Sequence, residues 1–381
     1  MKFVICMDAW KGSLSARSAC EAVAQGIHAV LPHAETLCCP MADGGEGTMG
    51  VVAAQRPGQR ISLEVTGPFP DRRVQADYLY WADAGEAFVE MAVCAGLPLL
   101  AEDERDPLRT TTRGVGELMA DAMQRGAKKI FLAVGGSATV DGGTGMAAAL
   151  GWQFLDASGR PLPEGGGALA QLDRIVPVSA GRAFPELDVL CDVTNPLLGA
   201  RGAARVFAPQ KGANPEAVED LEAGLARFAA CCQRDLGKSI ATLPGGGAAG
   251  GIAAGAVALL GGRLVSGVDA VMDMIGLSPK LSDADWVITG EGRFDDQSLE
   301  GKVVSGVLRR AQAQGVPVAV VAGSCGLDTA AMASSGIWYA EAANNQGLPL
   351  AQAMREAEAL AADAGARLAQ RITGECGPDH G

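Results

Sequence analysis

Three observations predict an α/β protein. Strand-and-helix alternation runs through both ends of the chain, period-two strands lie between them, and glycine-rich loops follow several apolar strands. The economical architecture is a doubly wound parallel-sheet domain interrupted by a second, inserted α/β domain with a mixed sheet. The style of the opening residues returns late in the chain. Residues 1–60 and 260–381 are therefore expected to form one discontinuous domain and 61–259 the insert, with the active site in the cleft between them. A length of 381 residues also exceeds what one hydrophobic core usually serves.

Composition narrows the function. Hydrophobic residues make up 48% of the chain and aromatics only 4%, with 52 glycines, which suits tightly turned α/β layers and not an aromatic nucleic-acid platform. A formal net charge of −13 repels polyanions, so any phosphate must be met locally by Lys, Arg, Mg²⁺ or backbone N–H groups. The ten cysteines contain no C-x-x-C pair and read as small buried hydrophobes in a reducing compartment. With only His28, His33 and His380 present, neither a histidine-rich zinc site nor histidine catalysis is expected. No apolar run reaches membrane-spanning length. The expectation is a cytoplasmic protein with small-molecule partners, no nucleic acid and no membrane, and with room for a homodimer.

Residues 2–7 read as a strand ending in Asp8-Ala-Trp-Lys-Gly-Ser-Leu-Ser15, and Ser15 is the candidate N-cap of a helix over 16–31. Lys11 thus sits in a strand-to-helix loop, where a lysine can meet phosphate or simply solvent. A second strand, 35–42, runs into Asp43-Gly-Gly-Glu-Gly-Thr48. Two carboxylates among three glycines suit Mg²⁺ or a hydroxylated substrate held through oxygen ligands, or else an acidic turn. From Arg60 the period changes to two, and 61–65, 74–80 and 87–91 read as antiparallel-type strands joined by turns. Thr110-Thr-Thr112 is a candidate cap for a helix over 114–125.

The stretch Lys129-Ile-Phe-Leu-Ala-Val-Gly-Gly-Ser-Ala-Thr-Val-Asp-Gly-Gly-Thr-Gly145 runs a buried-type strand into a loop of glycines, hydroxyls and one carboxylate, with a helix-forming segment after it. Glycines let backbone N–H groups approach an anion, and a helix start adds its positive dipole end, which together make a phosphate cradle. A tight strand-to-helix turn is the plain alternative. Ser137, Thr139 and Asp141 favour a ligand, because α/β sites gather at the C-terminal ends of strands.

A strand at 187–191 ends in Asp192-Val-Thr-Asn-Pro196, where Pro196 keeps Asn195 out of the helical region. Asp192 and Asn195 therefore project from a strand end, as site residues or as a turn. Residues 215–236 form an amphipathic helix with Pro near its first turn. Two motifs fail. Gly237-Lys-Ser239 lacks the first glycine of a P-loop, Cys232 standing in its place, and Gly245-Gly-Gly-Ala-Ala-Gly250 has dinucleotide spacing without a Val/Ile strand before it. After a small-residue helix at 252–260, strands at 285–289, 316–321 and 337–341 alternate with helices at 302–313 and 351–371. Gly290-Glu-Gly-Arg-Phe-Asp-Asp-Gln-Ser298 closes the first of these strands, with Gly301-Lys302 beyond. Arg293 is the best candidate for a two-point grip on a carboxylate or phosphate, or it pairs with Asp295 or Asp296.

Taken together and in this order, several segments resemble the type-1 glycerate kinase family. They are Asp8 with Lys11-Gly-Ser-Leu-Ser15, Ala42-Asp-Gly-Gly-Glu-Gly-Thr48, Gly135-Gly-Ser-Ala-Thr139 with Asp141-Gly-Gly143, Cys191-Asp-Val-Thr-Asn-Pro196, Pro209-Gln-Lys-Gly-Ala213, Gly247-Ala-Ala-Gly-Gly251 and Ile288-Thr-Gly-Glu-Gly-Arg293. The likeness covers essentially the whole chain. It implies a flavodoxin-like domain carrying an inserted α/β domain, and ATP-dependent phosphorylation of D-glycerate, most simply on the 2-hydroxyl. The sequence departs from the family's usual pattern at Met7, Ala9, Gly12, Val140 and Val304.

Phosphoryl transfer needs positioning, Mg²⁺, positive charge on the phosphates and an acceptor for the hydroxyl proton. On that basis Gly135, Gly136, Ser137, Thr139 and Asp141 are expected at the ATP, Lys11 at charge neutralisation, and Asp43 and Glu46 at the metal. Asp8, Asn195, Arg293 and Lys302 are expected at the substrate, Arg293 on the glycerate carboxylate, and Asp192 as base. The rivals are a kinase acting on the 3-hydroxyl or on another small hydroxy acid and, more distantly, a non-catalytic small-anion sensor.

Overall fold

A computed structural model describes residues 1–178, 183–299, 302–326, 332 and 334–375; Gly301 and His380 lie outside these. The chain divides into two compact units. The first takes Met1–Asp43, Gly50–Arg56 and the chain from Val268 onward, and the second takes Gly44–Met49 and Pro57–Gly267.

The sheet of the first unit has five parallel strands in the order Glu35–Cys38, Lys2–Met7, Trp286–Gly290, Val318–Ala322 and Tyr339–Ala342. Counted along the chain this is the flavodoxin-like order 2-1-3-4-5, which reverses direction between its first and third strands. Phe3 to Met7 are all buried, as a parallel strand covered on both faces requires, so they read as one apolar run instead of an alternation. Strand Glu35–Cys38 is shorter than the sequence suggests, yet the Cys39 and Met41 N–H groups still reach the Ile5 and Met7 carbonyls.

Helix Ala16–Val30 starts where Ser15 predicts, with the Ser15 hydroxyl accepting the Ser18 N–H at 3.0 Å. It packs along helix Ala357–Glu375 through residues too small to hold the backbones apart. A Cβ on Gly26 would lie 1.9 Å from the Ala362 carbonyl oxygen, and one on Gly365 would lie 2.5 Å from that of Val23. The helix expected over 351–371 is instead two, Leu350–Arg355 and Ala357–Glu375, broken at Glu356.

The second unit holds a mixed six-stranded sheet in the order Arg263–Val265, Glu186–Leu190, Lys129–Ala133, Glu86–Glu90, Arg73–Trp81 and Gln59–Thr66. The last two pairings are antiparallel and the others parallel. Helices Arg113–Gln124, Pro215–Leu236 and Ile252–Leu260 bury their apolar faces in one core with these strands. Gly44–Met49 belongs here for a specific reason: buried Glu90 accepts the Gly47 and Met49 N–H groups at 2.7 and 2.9 Å, and the Gly135 N–H reaches the Gly44 carbonyl at 3.2 Å. Among the described residues, no helix is long and apolar enough to cross a membrane.

Candidate functional site

The reversal of strand order in the first unit opens a crevice at the carboxyl ends of its strands, the usual ligand position in such sheets. A cavity of about 780 Å³ lies there. Each strand end contributes to it: Asp8 follows Lys2–Met7, Asp43 follows Glu35–Cys38, Glu291 follows Trp286–Gly290, Gly323 follows Val318–Ala322, and Ala343 follows Tyr339–Ala342. Lys11, Arg293 and Lys302 add positive charge. Four residues proposed from sequence for substrate and charge, Asp8, Lys11, Arg293 and Lys302, thus meet in one cavity with Asp43.

Lys11 stands at the tip of a tight loop closed by the Trp10 N–H to the Leu14 carbonyl at 2.9 Å. The neighbouring Gly12 has φ +77°, and a Cβ there would come within 2.9 Å of Met354 Cε. This departure from the family pattern therefore has a local cause. Arg293 is exposed and pairs with Asp295 at 3.2 Å, which leaves much of its guanidinium fork toward the cavity.

Asp8 and Glu291 are both pushed up. Burial, and then the negative charge of Asp43, push Asp8 up to about 7, although its Oδ1 accepts the Ala9 N–H at 2.7 Å. Burial also raises Glu291, opposed by a hydrogen bond from Ser298 and by the Lys302 charge. Glu291 Oε1 is buried with no hydrogen-bond partner among the described residues. Sequence reasoning passed over Glu291 for its neighbour Arg293, although a carboxylate between two glycines directly after an apolar strand was a readable signal.

Among the described residues, no group of three or more His, Cys, Asp or Glu is arranged to hold a metal. Mg²⁺, however, keeps several waters and usually takes one or two carboxylates beside substrate phosphates. Asp43 and the unpartnered Glu291 oxygen fit that limited demand. Glu46 is exposed on the segment that joins the second unit, and does not line the cavity.

The glycine-rich loop of the second unit is built differently from the expected cradle. Asp141 is fully buried, and its carboxylate accepts the Thr112 N–H and hydroxyl at 2.9 and 2.8 Å and the Gly143 and Gly145 N–H groups at 3.0 and 3.2 Å. The head of helix Thr144–Ala149 is thus already filled by the protein's own anion, and the Met146 N–H goes to the Thr112 hydroxyl at 2.9 Å. The Gly135 N–H is likewise spent on Gly44. Asp141 and the Gly135 N–H thus hold the loop's own conformation. Thr112 makes no side-chain cap on the helix it precedes, because its hydroxyl is used across the unit.

Lys211, absent from the sequence-based site, lies in this loop's interior. Its Nζ donates to Ser137 Oγ at 2.6 Å and to the Thr139 carbonyl at 2.8 Å, and burial lowers its pKa to about 7 against the raising effect of Asp141. Thr139 Oγ1 is buried with no hydrogen-bond partner among the described residues, and the Gly136 carbonyl accepts the Leu97 N–H at 2.8 Å. A lysine in the short turn Pro209-Gln-Lys-Gly212 gave no hint of this burial. At the end of strand Glu186–Leu190, Asp192 Oδ1 accepts the Gly267 N–H at 3.0 Å, while the Asn195 side chain donates to the Arg201 carbonyl at 2.8 Å and so ties its own turn.

A doubly wound sheet with a large, charged cavity at its switch point defines a small-molecule-binding protein of the flavodoxin-like class with an inserted mixed α/β unit. Comparison with known proteins agrees and goes further. The glycerate kinase family model matches residues 3–373. A glycerate kinase of Halalkalibacterium halodurans is 41% identical over 96% of this chain and 97% of its own length. The glycerate 2-kinase of Escherichia coli K12 is 41% identical over 88% and 89%. A crystal structure from Salmonella typhimurium LT2, described as a candidate glycerate kinase 2, superposes with a TM-score of 0.84 at 39% identity, covering 99% of each chain. The chain belongs to the glycerate kinase family: it is an enzyme, a phosphotransferase with an alcohol group as acceptor.

Proposed function

We propose that the enzyme transfers the γ-phosphoryl group of Mg·ATP to the 2-hydroxyl of D-glycerate, forming 2-phosphoglycerate in the cytoplasm. The observation that carries this reading is the cavity at the switch point, lined by Lys11, Arg293 and Lys302 together with Asp8, Asp43 and Glu291, in a chain 41% identical to a glycerate 2-kinase. Three cations suit anionic substrates, and bringing carboxylates among phosphates calls for a divalent cation. Mg²⁺, held by Asp43 with Glu291 beside the phosphates, would neutralise their charge.

Asp192 is the proposed acceptor of the hydroxyl proton. Its Oδ1 is oriented by the Gly267 N–H, which a positioned base requires.

The test is a coupled assay with Mg·ATP, D-glycerate, enolase and pyruvate kinase, run with and without phosphoglycerate mutase. Pyruvate should form without mutase. An absolute need for mutase would mean the 3-hydroxyl is the acceptor, and faster turnover of tartronate or a larger sugar acid would shift the substrate.

A further inference from the structure

The cavity of the first unit is much larger than a three-carbon acid needs. At about 780 Å³ it lies within the ~300–1,000 Å³ range of sites that take drug-sized ligands. Its lining also combines two chemistries. Asp8, Lys11, Asp43, Glu291, Arg293 and Lys302 follow strand ends, whereas helix Leu350–Arg355 and the start of Ala357–Glu375 contribute Leu350, Ala353, Met354, Ala357 and Leu360. Gly292, Gly323 and Gly326 also line it, positions with no side chain to occupy the space.

Leu350 is 76% exposed, and of the large apolar side chains exposed among the described residues it alone lines the cavity. An exposed leucine on a concave wall is a surface that a flat apolar group would cover. In the glycine-rich loop of the second unit, meanwhile, the Gly143 and Gly145 N–H groups are already given to Asp141.

From these features we propose that the first unit's cavity is the nucleotide site, with the base of a nucleoside triphosphate against Leu350, Met354 and Leu360 and its phosphates toward Lys11, Arg293 and Lys302. The inference rests on the kinase reading and moves Arg293 from the glycerate carboxylate to a phosphate. The acid must then be recognised by other groups.

Calorimetric titration of the full-length protein with Mg·ADP, adenosine, tripolyphosphate and D-glycerate tests this. Adenosine should compete with ADP. Leu350→Asp, at an exposed position, and Met354→Gln should each weaken ADP and adenosine at least about tenfold, leaving tripolyphosphate and D-glycerate unchanged. Arg293→Lys should weaken ADP and tripolyphosphate but neither adenosine nor D-glycerate. Thermal melts without ligand separate these effects from misfolding. Loss of D-glycerate binding with ADP unaffected in Leu350→Asp or Arg293→Lys overturns the assignment and leaves the kinase reading intact, as does wild-type protein that phosphorylates glycerate without adenosine competing. The expected binding pattern in a wild-type protein that fails to phosphorylate D-glycerate would instead remove the proposed activity and keep the nucleotide site.

Discussion

Lys211 and Asp8 carry opposite pH signatures. Lys211 titrates near 10.5 when free and at about 7 in the fold, so between these values the unfolded chain holds a proton that the folded chain lacks, and stability rises with pH. Urea unfolding between about pH 7.5 and 9.5 should show wild type gaining up to ~1.4 kcal/mol per pH unit over Lys211→Met. Parallel curves would mean that Lys211 keeps its charge. Asp8 is raised from 3.8 to about 7, so between these values the folded chain holds the extra proton and stability falls as pH rises. Asp8→Asn should therefore narrow the stability difference between about pH 5 and pH 8 by a few kcal/mol, and unchanged slopes would refute the shift. For catalysis, Asp192→Asn keeps an Oδ1 for the Gly267 N–H but cannot accept a proton. Its kcat should drop about 10²–10⁴-fold with KM for glycerate little changed; retained turnover moves the base elsewhere. That Asp8, Lys11, Arg293 and Lys302 share one cavity was legible because the first two follow the apolar strand Lys2–Met7 and the last two come after the apolar strand Trp286–Gly290. Lys211 was not, because burial depends on what folds over a turn.

Among the elements, the pair Ala16–Val30 and Ala357–Glu375 depends on small residues at one crossing. Gly26→Val has no room beside the Ala362 carbonyl, and should cost about 1–3 kcal/mol or more in thermal denaturation. Gly50, in helix Thr48–Gln55, has open space where a Cβ would stand, with nothing within 4 Å, so Gly50→Ala should stabilise by roughly 0.5–1 kcal/mol. If both changes destabilise alike, room for a side chain is not what separates the two sites. Helix spans such as Pro215–Leu236 and Ile252–Leu260 were readable from period and flanking Pro or Gly. The glycine-rich loop after Lys129–Ala133 was readable only as a turn rich in donors. Whether those donors face a ligand or Asp141 turned on Thr112, which lies 29 residues earlier.

At the scale of the whole molecule, a net charge of −13 leaves phosphate recognition to local cations, and the cavity of the first unit gathers three of them. A ligand bound only by the folded state should stabilise it, and Mg·ADP at about 100 times its Kd should add roughly 2.7 kcal/mol to unfolding. No rise in Tm at such concentrations would argue against a nucleotide site in the free enzyme. Element order, the parallel and mixed sheets, and the return of the early strand-helix style after the middle of the chain were all determined by the sequence itself, because periodicity and turn residues act over a few positions. The tertiary structure alone decided that Asp141 fills a helix head, that Lys211 loses its solvent, and that seven charged residues and the apolar side chains of two late helices line one cavity. Hydrogen-bond partners, desolvation and cavity shape are set by groups far apart in the chain, and no local pattern encodes which of them will meet.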